Sequence, residues 1–104
     1  MKNILEEIKK QVEGTPVVLY MKGSKAFPMC GFSALVCQIL DNMKVEYTDV
    51  NILESEELRS GIKEFSNWPT IPQLYINGEF VGGSDIVKQL FQSGELHKLL
   101  KLDV

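Results

Sequence analysis

Two cysteines, one histidine and fourteen Asp or Glu residues are the side chains of this 104-residue sequence best equipped for chemistry. The first cysteine, Cys30, stands in the stretch FPMCGFS, just after Pro28 and Met29 and three residues before Ser33. A second thiol at Ser33 would make a redox pair, because residues three apart share one helical face and the second sulfur can attack a mixed disulfide on the first. Serine cannot do so, and the question becomes what one thiol accomplishes alone. Cys37 is no substitute within one helix, since seven residues at ~1.5 Å rise set the α-carbons ~10 Å apart, beyond the ~7 Å at which a disulfide closes. Cys37 reads as a small core residue. His97 cannot complete a zinc tetrahedron with two sulfurs unless carboxylates or a second chain contribute. It reads as a surface histidine.

The reactivity of Cys30 depends on where its helix begins. Leu35, Val36, Ile39, Leu40 and Met43 recur at helical spacing with Pro28 just upstream, so Cys30 is expected at the helix start. There it faces unpaired amide hydrogens and the positive end of the dipole, both of which favour thiolate. The competing reading is a buried structural cysteine, for which a loop-to-helix junction beside Gly31 is a poor place. A second feature is WPTIPQ, Trp68–Gln73, where two prolines bracket Thr70 and Ile71 ahead of a strand. A cis bond before Pro72 would leave the Ile71 backbone unpaired and open to an extended peptide adding as a strand. A trans proline opening an edge strand is the alternative, and proline statistics favour it.

The elements that must hold these groups are legible from periodicity. Ile4, Leu5, Ile8 and Val12 recur at helical spacing until Gly14 and Pro16 end the segment. VVLYM, Val17–Met21, is an apolar run of branched and aromatic residues expected as a buried strand, and VEYTDV, residues 45–50, alternates as a second. SEELRSGIKEF sets Leu58, Ile62 and Phe65 on one helical face with Ser55 as its cap. Gly61 weakens that helix by about 1 kcal/mol relative to alanine. QLYI and EFVG flank Asn77 and Gly78, the strongest short-range hairpin signal, because both central positions of a type I′ turn need positive φ. Ser84 or Asp85 then caps a helix carrying Ile86, Val87, Leu90 and Phe91, and a short helix follows Gly94. The order, helix, β-α-β, helix, β-β, helix, predicts an α/β fold with one mixed sheet covered on both faces.

Length and composition bound the function. The chain has the size of one domain, residues 1–104, and its hydrophobic fraction of 44% and charged fraction of 24% are those of an ordinary globular protein. A net charge of -3 gives no bulk attraction to nucleic acid or to an anionic membrane. The opening MKNILEEIKK meets acids after two apolar residues, so no signal-peptide core is expected, and no later run approaches membrane-spanning length. The expected compartment is the cytoplasm; a mature organellar matrix protein shorn of its presequence would read the same way. Two cysteines are too few for a disulfide scaffold.

CGFS at a helix start, WPTIPQLYINGE, VGGSD and the βαβ-ββα order together resemble a monothiol glutaredoxin of the CGFS class, single-domain type, from about Val12 to Leu100. The resemblance implies a thioredoxin fold, a four-stranded mixed sheet flanked by helices, with a cis bond at Pro72 facing Cys30 and glutathione bound between them as a short extended strand. It also implies that Lys22 and Arg59 hold the glycine carboxylate of glutathione and that Ile71 supplies the main-chain pair. Ser84 and Asp85 would take the γ-glutamyl end, helix amides holding its carboxylate and Asp85 its ammonium. Singly, each of these is an ordinary surface charge or helix cap. Three positions depart from the family pattern. Lys25 replaces a common proline, for which a more mobile and more positive loop is expected; Ser84 replaces a common cysteine, which excludes a disulfide there; and Cys37 is no family hallmark.

A [2Fe-2S] cluster needs four ligands, commonly thiolates. The resemblance implies that two chains and two glutathiones supply them: Cys30 from each protomer, one glutathione sulfur beside each, in a homodimer that forms with the cluster from a monomer without it. Apo iron-sulfur proteins would be acceptors, and BolA-type proteins would replace one subunit. The alternative is enzymatic, a glutathione-dependent thiol-disulfide oxidoreductase working by a monothiol route. Seven residues, Gly23 to Met29, separate Lys22 from Cys30. In the CGFS class this longer loop goes with cluster binding and weak oxidoreductase activity, which ranks the carrier first. A third class, an adaptor without chemistry, would use Trp68 and Phe27 as contacts.

Overall fold

Every residue of Val17–Met21 is buried, and this strand, β1, lies inside a four-stranded sheet. The computed structural model describes residues 3–101, with α1 (Ile4–Gly14), β1, α2 (Gly31–Asn42), β2 (Thr48–Asn51), α3 (Glu56–Ser66), β3 (Gln73–Ile76), β4 (Glu79–Gly82), α4 (Ser84–Ser93) and α5 (Glu95–Leu99). The sheet order is β2-β1-β3-β4, with β1 parallel to β2 and antiparallel to β3, and β3 antiparallel to β4. This is the thioredoxin arrangement expected from the sequence, with α1 added in front.

A strand buried on both faces reads as continuous apolar sequence, and β1 does so because alternate side chains serve two cores. Val17, Leu19 and Met21 pack with Val36, Leu40 and Val87 from α2 and α4. Val18 and Tyr20 pack with Ile8 and Val12 of α1 and Ile62 of α3 on the other face. Asn77 and Gly78 have φ of 51° and 82°, as the type I′ hairpin between β3 and β4 requires. Gly61, a weak point for helix propensity, has a packing reason. A Cβ built there would lie 2.9 Å from Ile4 Cγ1, so the missing side chain is what lets α1 lie against α3.

Two boundaries differ from expectation. The strand read at residues 45–50 pairs with β1 only from Thr48, where Val18 meets Thr48. The Val45 amide is already bonded to the Leu40 carbonyl at 3.2 Å, closing the end of α2, and is not free to join the ladder. At α4 the cap is Gly83, which offers no side chain, while Ser84 and Asp85 lie inside the first turn. Gly82 precedes it with φ of 150°, and a Cβ there would stand 2.7 Å from Ile86 Cβ. Only glycine admits the sharp entry into this helix.

Candidate functional site

The strand register brings the chemical groups to one end of the sheet. Tyr20 pairs with Gln73 and Leu74 with Gly82, so the end of β1, the start of β3 and the end of β4 coincide. Lys22 follows β1, Ile71 and Pro72 precede β3, and Ser84 and Asp85 follow β4. The loop after β1 returns to this end because the Met29 amide donates to the Lys22 carbonyl at 2.9 Å, which places Cys30 at the N-cap of α2. These segments enclose a cleft of about 460 Å³ lined by Lys22, Cys30, Phe32, Lys63, Pro69, Thr70, Ile71, Pro72, Ser84 and Asp85.

Cys30 is half-buried and its thiol is held below its ordinary pKa. The foremost cause is the Ser33 backbone amide; partial burial opposes it, and the Phe32 amide, the Lys22 charge and the Ser33 hydroxyl add to it. The sulfur makes no side-chain capping bond as it stands. Amides aimed at it therefore act mainly on the charged form, in which a thiolate accepts where a thiol barely does. Ser33 is fully buried, and its Oγ accepts from the Lys22 amide at 3.2 Å. The residue that replaces a second thiol thus ties the end of β1 to the first turn of α2.

The other walls are backbone and charge. The Ile71–Pro72 bond is cis, as the resemblance implied, and among the described residues no backbone hydrogen bond engages either main-chain group of Ile71. The helix starts divide in the same way. α1 and α3 are capped by the side chains of Asn3 and Ser55, whereas α2 and α4, the two that open on the cleft, have no side-chain cap; the five-residue α5, which does not line the cleft, has none either. Their first amides remain available to an anion. Three exposed apolar side chains stand around the thiol in sequence: Phe27 at 80%, Met29 at 71% and Phe32 at 62%. Of these, Phe32 lines the cleft.

Of the residues singled out from sequence, the cleft gathers Lys22, Cys30, Ile71, Ser84 and Asp85 but not Arg59. Arg59 pairs with Glu56 at 3.5 Å on an exposed part of α3. Lys63, one turn further along α3, lines the cleft and was missed; its i+4 spacing from Arg59 was the available signal. Lys25 does not loosen its loop. Its amide donates to Asp49 Oδ2 at 2.8 Å, its Nζ donates to the Tyr47 carbonyl at 2.8 Å, and Nζ lies 4.7 Å from the Tyr47 ring centre.

Away from the cleft, Cys37 is buried as expected, 3.7 Å from Met21 Sδ, and burial pushes its thiol pKa up. The Tyr47 hydroxyl sits close to Cys37 but lacks a well-formed hydrogen bond. His97 is not a plain surface residue: its ring stacks on Phe91 at 6.1 Å and its Nδ1 is buried without a hydrogen-bond partner among the described residues. Trp68 packs on Phe80 at 5.7 Å. A larger hollow of about 610 Å³, lined by Lys25, Asp41, Glu46 and Tyr47 among others, has neither cysteine nor histidine in its walls. The smaller cleft has Cys30 in its walls.

The glutaredoxin family profile matches residues 17–81. Monothiol glutaredoxin-S14, chloroplastic, of Arabidopsis thaliana is 58% identical over 93 residues, covering 89% of this chain and 54% of that protein. The chain thus spans about half the length of that relative. Monothiol glutaredoxin-5, mitochondrial, of Schizosaccharomyces pombe is 56% identical over 99 residues, covering 92% of this chain and 68% of that protein. The solution structure of reduced poplar apo GrxS14 superposes with a TM-score of 0.82 at 52% identity, covering 92% of this chain and 88% of that one. With one thiol at the head of α2 and serine three residues on, the chain belongs to the glutaredoxin family, in its monothiol class.

Proposed function

We propose that this chain, as one glutaredoxin unit over residues 1–104, binds glutathione in the cleft and carries a [2Fe-2S] cluster as cargo between proteins. The observation that supports it best is the pairing of two uncapped helix starts with the unbonded main chain of Ile71 around one thiol of lowered pKa. An extended tripeptide with a carboxylate at each end suits those walls. Ile71 pairs with its main chain, Lys22 and Lys63 face one carboxylate with Arg59 next along α3, and the amides of Ser84 and Asp85 face the other. The Asp85 carboxylate takes the ammonium of the γ-glutamyl end.

One chain brings one reactive thiolate, and among the described residues no group of three or more His, Cys, Asp or Glu side chains could hold a metal. Four ligands then come from Cys30 of two protomers and two glutathione sulfurs, in a homodimer that dissociates when the cargo leaves. The exposed Phe27, Met29 and Phe32 supply the apolar contact for the second copy, for a BolA-type protein in its place, or for an apo iron-sulfur acceptor. Among the described residues no helix is long and apolar enough to cross a membrane. The compartment proposed is the cytoplasm, with an organellar matrix as the alternative.

The test is anaerobic reconstitution with iron and sulfide, with and without glutathione, followed by visible absorption and size measurement. A coloured dimer that needs glutathione and is lost in Cys30→Ser is expected; colour that survives Cys30→Ser refutes the reading. The lowered pKa of Cys30 also favours a second reading, a thiol-disulfide oxidoreductase. In that route the Cys30 thiolate attacks the glutathione sulfur of a mixed disulfide and releases the protein thiol. A second glutathione thiolate then regenerates Cys30 as glutathione disulfide leaves. Rapid turnover of a glutathionylated substrate without cluster formation would favour it.

A further inference from the structure

Gln73 is the one polar side chain besides Ser33 that is wholly buried among the described residues, at 0% exposure. Burying an amide is costly unless each polar atom finds a partner. All of them do. Nε2 donates to the Trp68 carbonyl and to the Thr70 carbonyl, each at 3.2 Å, and Oε1 accepts from the Tyr75 hydroxyl at 3.0 Å. Tyr75 is itself fixed edge-on against Tyr20, with ring centres 5.7 Å apart, in the core between the sheet and α1 and α3. The amide therefore ties a rigid aromatic cluster to the two carbonyls on either side of Pro69. Those carbonyls belong to the stretch that presents Ile71.

We propose that Gln73 is a positioning residue for peptide recognition: its two donors hold residues 68–70 so that the free main chain of Ile71 stands at the registration an incoming extended peptide requires. The inference rests on the glutathione reading and adds to it a residue that touches no ligand. Trp68 and Thr70 have their carbonyls turned inward to Gln73, while Ile71, whose main-chain groups have no such partner among the described residues, lines the cleft. Sheet pairing cannot do this work, because β3 begins only at Gln73.

The network separates the positioning role from a merely structural one. Gln73→Met keeps the volume but removes both donors, whereas Tyr75→Phe removes the hydroxyl and leaves both donors on the loop. The measurement is calorimetric binding of S-methylglutathione, which lacks a free thiol, with the main-chain chemical shifts of Thr70 and Ile71. Gln73→Met is expected to weaken binding roughly tenfold, the effect of losing one to two hydrogen bonds, and to move the main-chain chemical shifts of both residues. Tyr75→Phe should lower stability while leaving affinity within about twofold, since its effect on the loop carbonyls is indirect. If Gln73→Met does not fold, Gln73→Glu serves: its acid form still donates one bond and its carboxylate repels two carbonyls, so binding should fall as pH rises while the wild type does not. Equal affinity of Gln73→Met and wild type, pH-independent binding by Gln73→Glu, or equal loss in Tyr75→Phe overturns the inference and leaves the glutathione reading intact. A wild-type chain that binds no S-methylglutathione overturns both.

Discussion

Ser33→Ala separates the two things the Ser33 hydroxyl does. It removes the acceptor 3.2 Å from the Lys22 amide, and it removes the smallest of the influences that keep the Cys30 thiol ionised. The first loss acts on stability. Ser33 is fully buried, so the amide at the end of β1 loses its partner where water does not readily replace it, and stranding such a donor costs about 1–2 kcal/mol. With the m-value of a small protein, that lowers the urea midpoint by roughly 1 M. The second loss acts on the thiol. Its pKa should rise yet stay below the ordinary cysteine value, because the foremost influence is the Ser33 backbone amide, which no side-chain substitution removes. Ser33→Cys should also destabilise, since sulfur is a poor acceptor for the Lys22 amide.

The assays are urea unfolding followed by Trp68 fluorescence and the pH dependence of Cys30 alkylation, located by mass spectrometry because Cys37 is buried and slow. An unchanged urea midpoint in Ser33→Ala would show that the Lys22 bond anchors nothing. An alkylation midpoint equal to that of an unperturbed cysteine would show that the hydroxyl, not the helix amides, ionises Cys30. Either result refutes the account of why a serine stands there.

Three further outcomes are expected. Gly61→Ala should not deliver the gain of about 1 kcal/mol that helix propensity offers, because its Cβ would meet Ile4 Cγ1 at 2.9 Å and Cγ2 at 3.0 Å; thermal unfolding above the wild-type midpoint would contradict this. The Cys30 pKa is lowered in the folded chain, so between that value and the ordinary cysteine value of 9.0 the unfolded state binds more protons and stability rises with pH, completing above the unfolded value. Urea midpoints across that window should rise in wild type relative to Cys30→Ser, and parallel curves would rule it out. All three tyrosines are raised above 10.0, chiefly by burial, Tyr75 to about 12 and Tyr20 and Tyr47 further. Their stabilisation is complete below the unfolded pKa and is lost as pH rises past it, so tyrosinate absorbance should appear together with loss of structure; ionisation in the folded chain at pH 10 would refute it.

What the sequence made legible, and what it did not, follows from the range of the forces involved. Val17–Met21, the helix after Cys30 and the Asn77–Gly78 turn are local patterns, and each forms where periodicity and turn chemistry put it. The burial of Cys37 also follows from local spacing, since it falls on the face of α2 that carries Val36 and Leu40. The misreadings lie where a group finds a partner that periodicity does not announce. The Val45 amide bonds to the Leu40 carbonyl, five residues back, and is lost to β2. Lys25 finds Asp49 and Tyr47 across the sheet edge, and no pattern along the chain announces those partners.

The error at α4 is the most telling, because it comes from a rule that usually succeeds. Ser84 and Asp85 are good caps by residue type, and capping stabilises a helix by occupying its first amides. The structure places them one and two positions too late for that, behind Gly83, and leaves those amides unoccupied by any cap. The same is true at α2, where Cys30 stands at the cap position and makes no capping bond. A helix that keeps its own amides busy cannot offer them to a ligand. Two helices without side-chain caps, meeting at one cleft, therefore give up local stability where the proposed anion would bind and where the Cys30 thiol is held below its ordinary pKa.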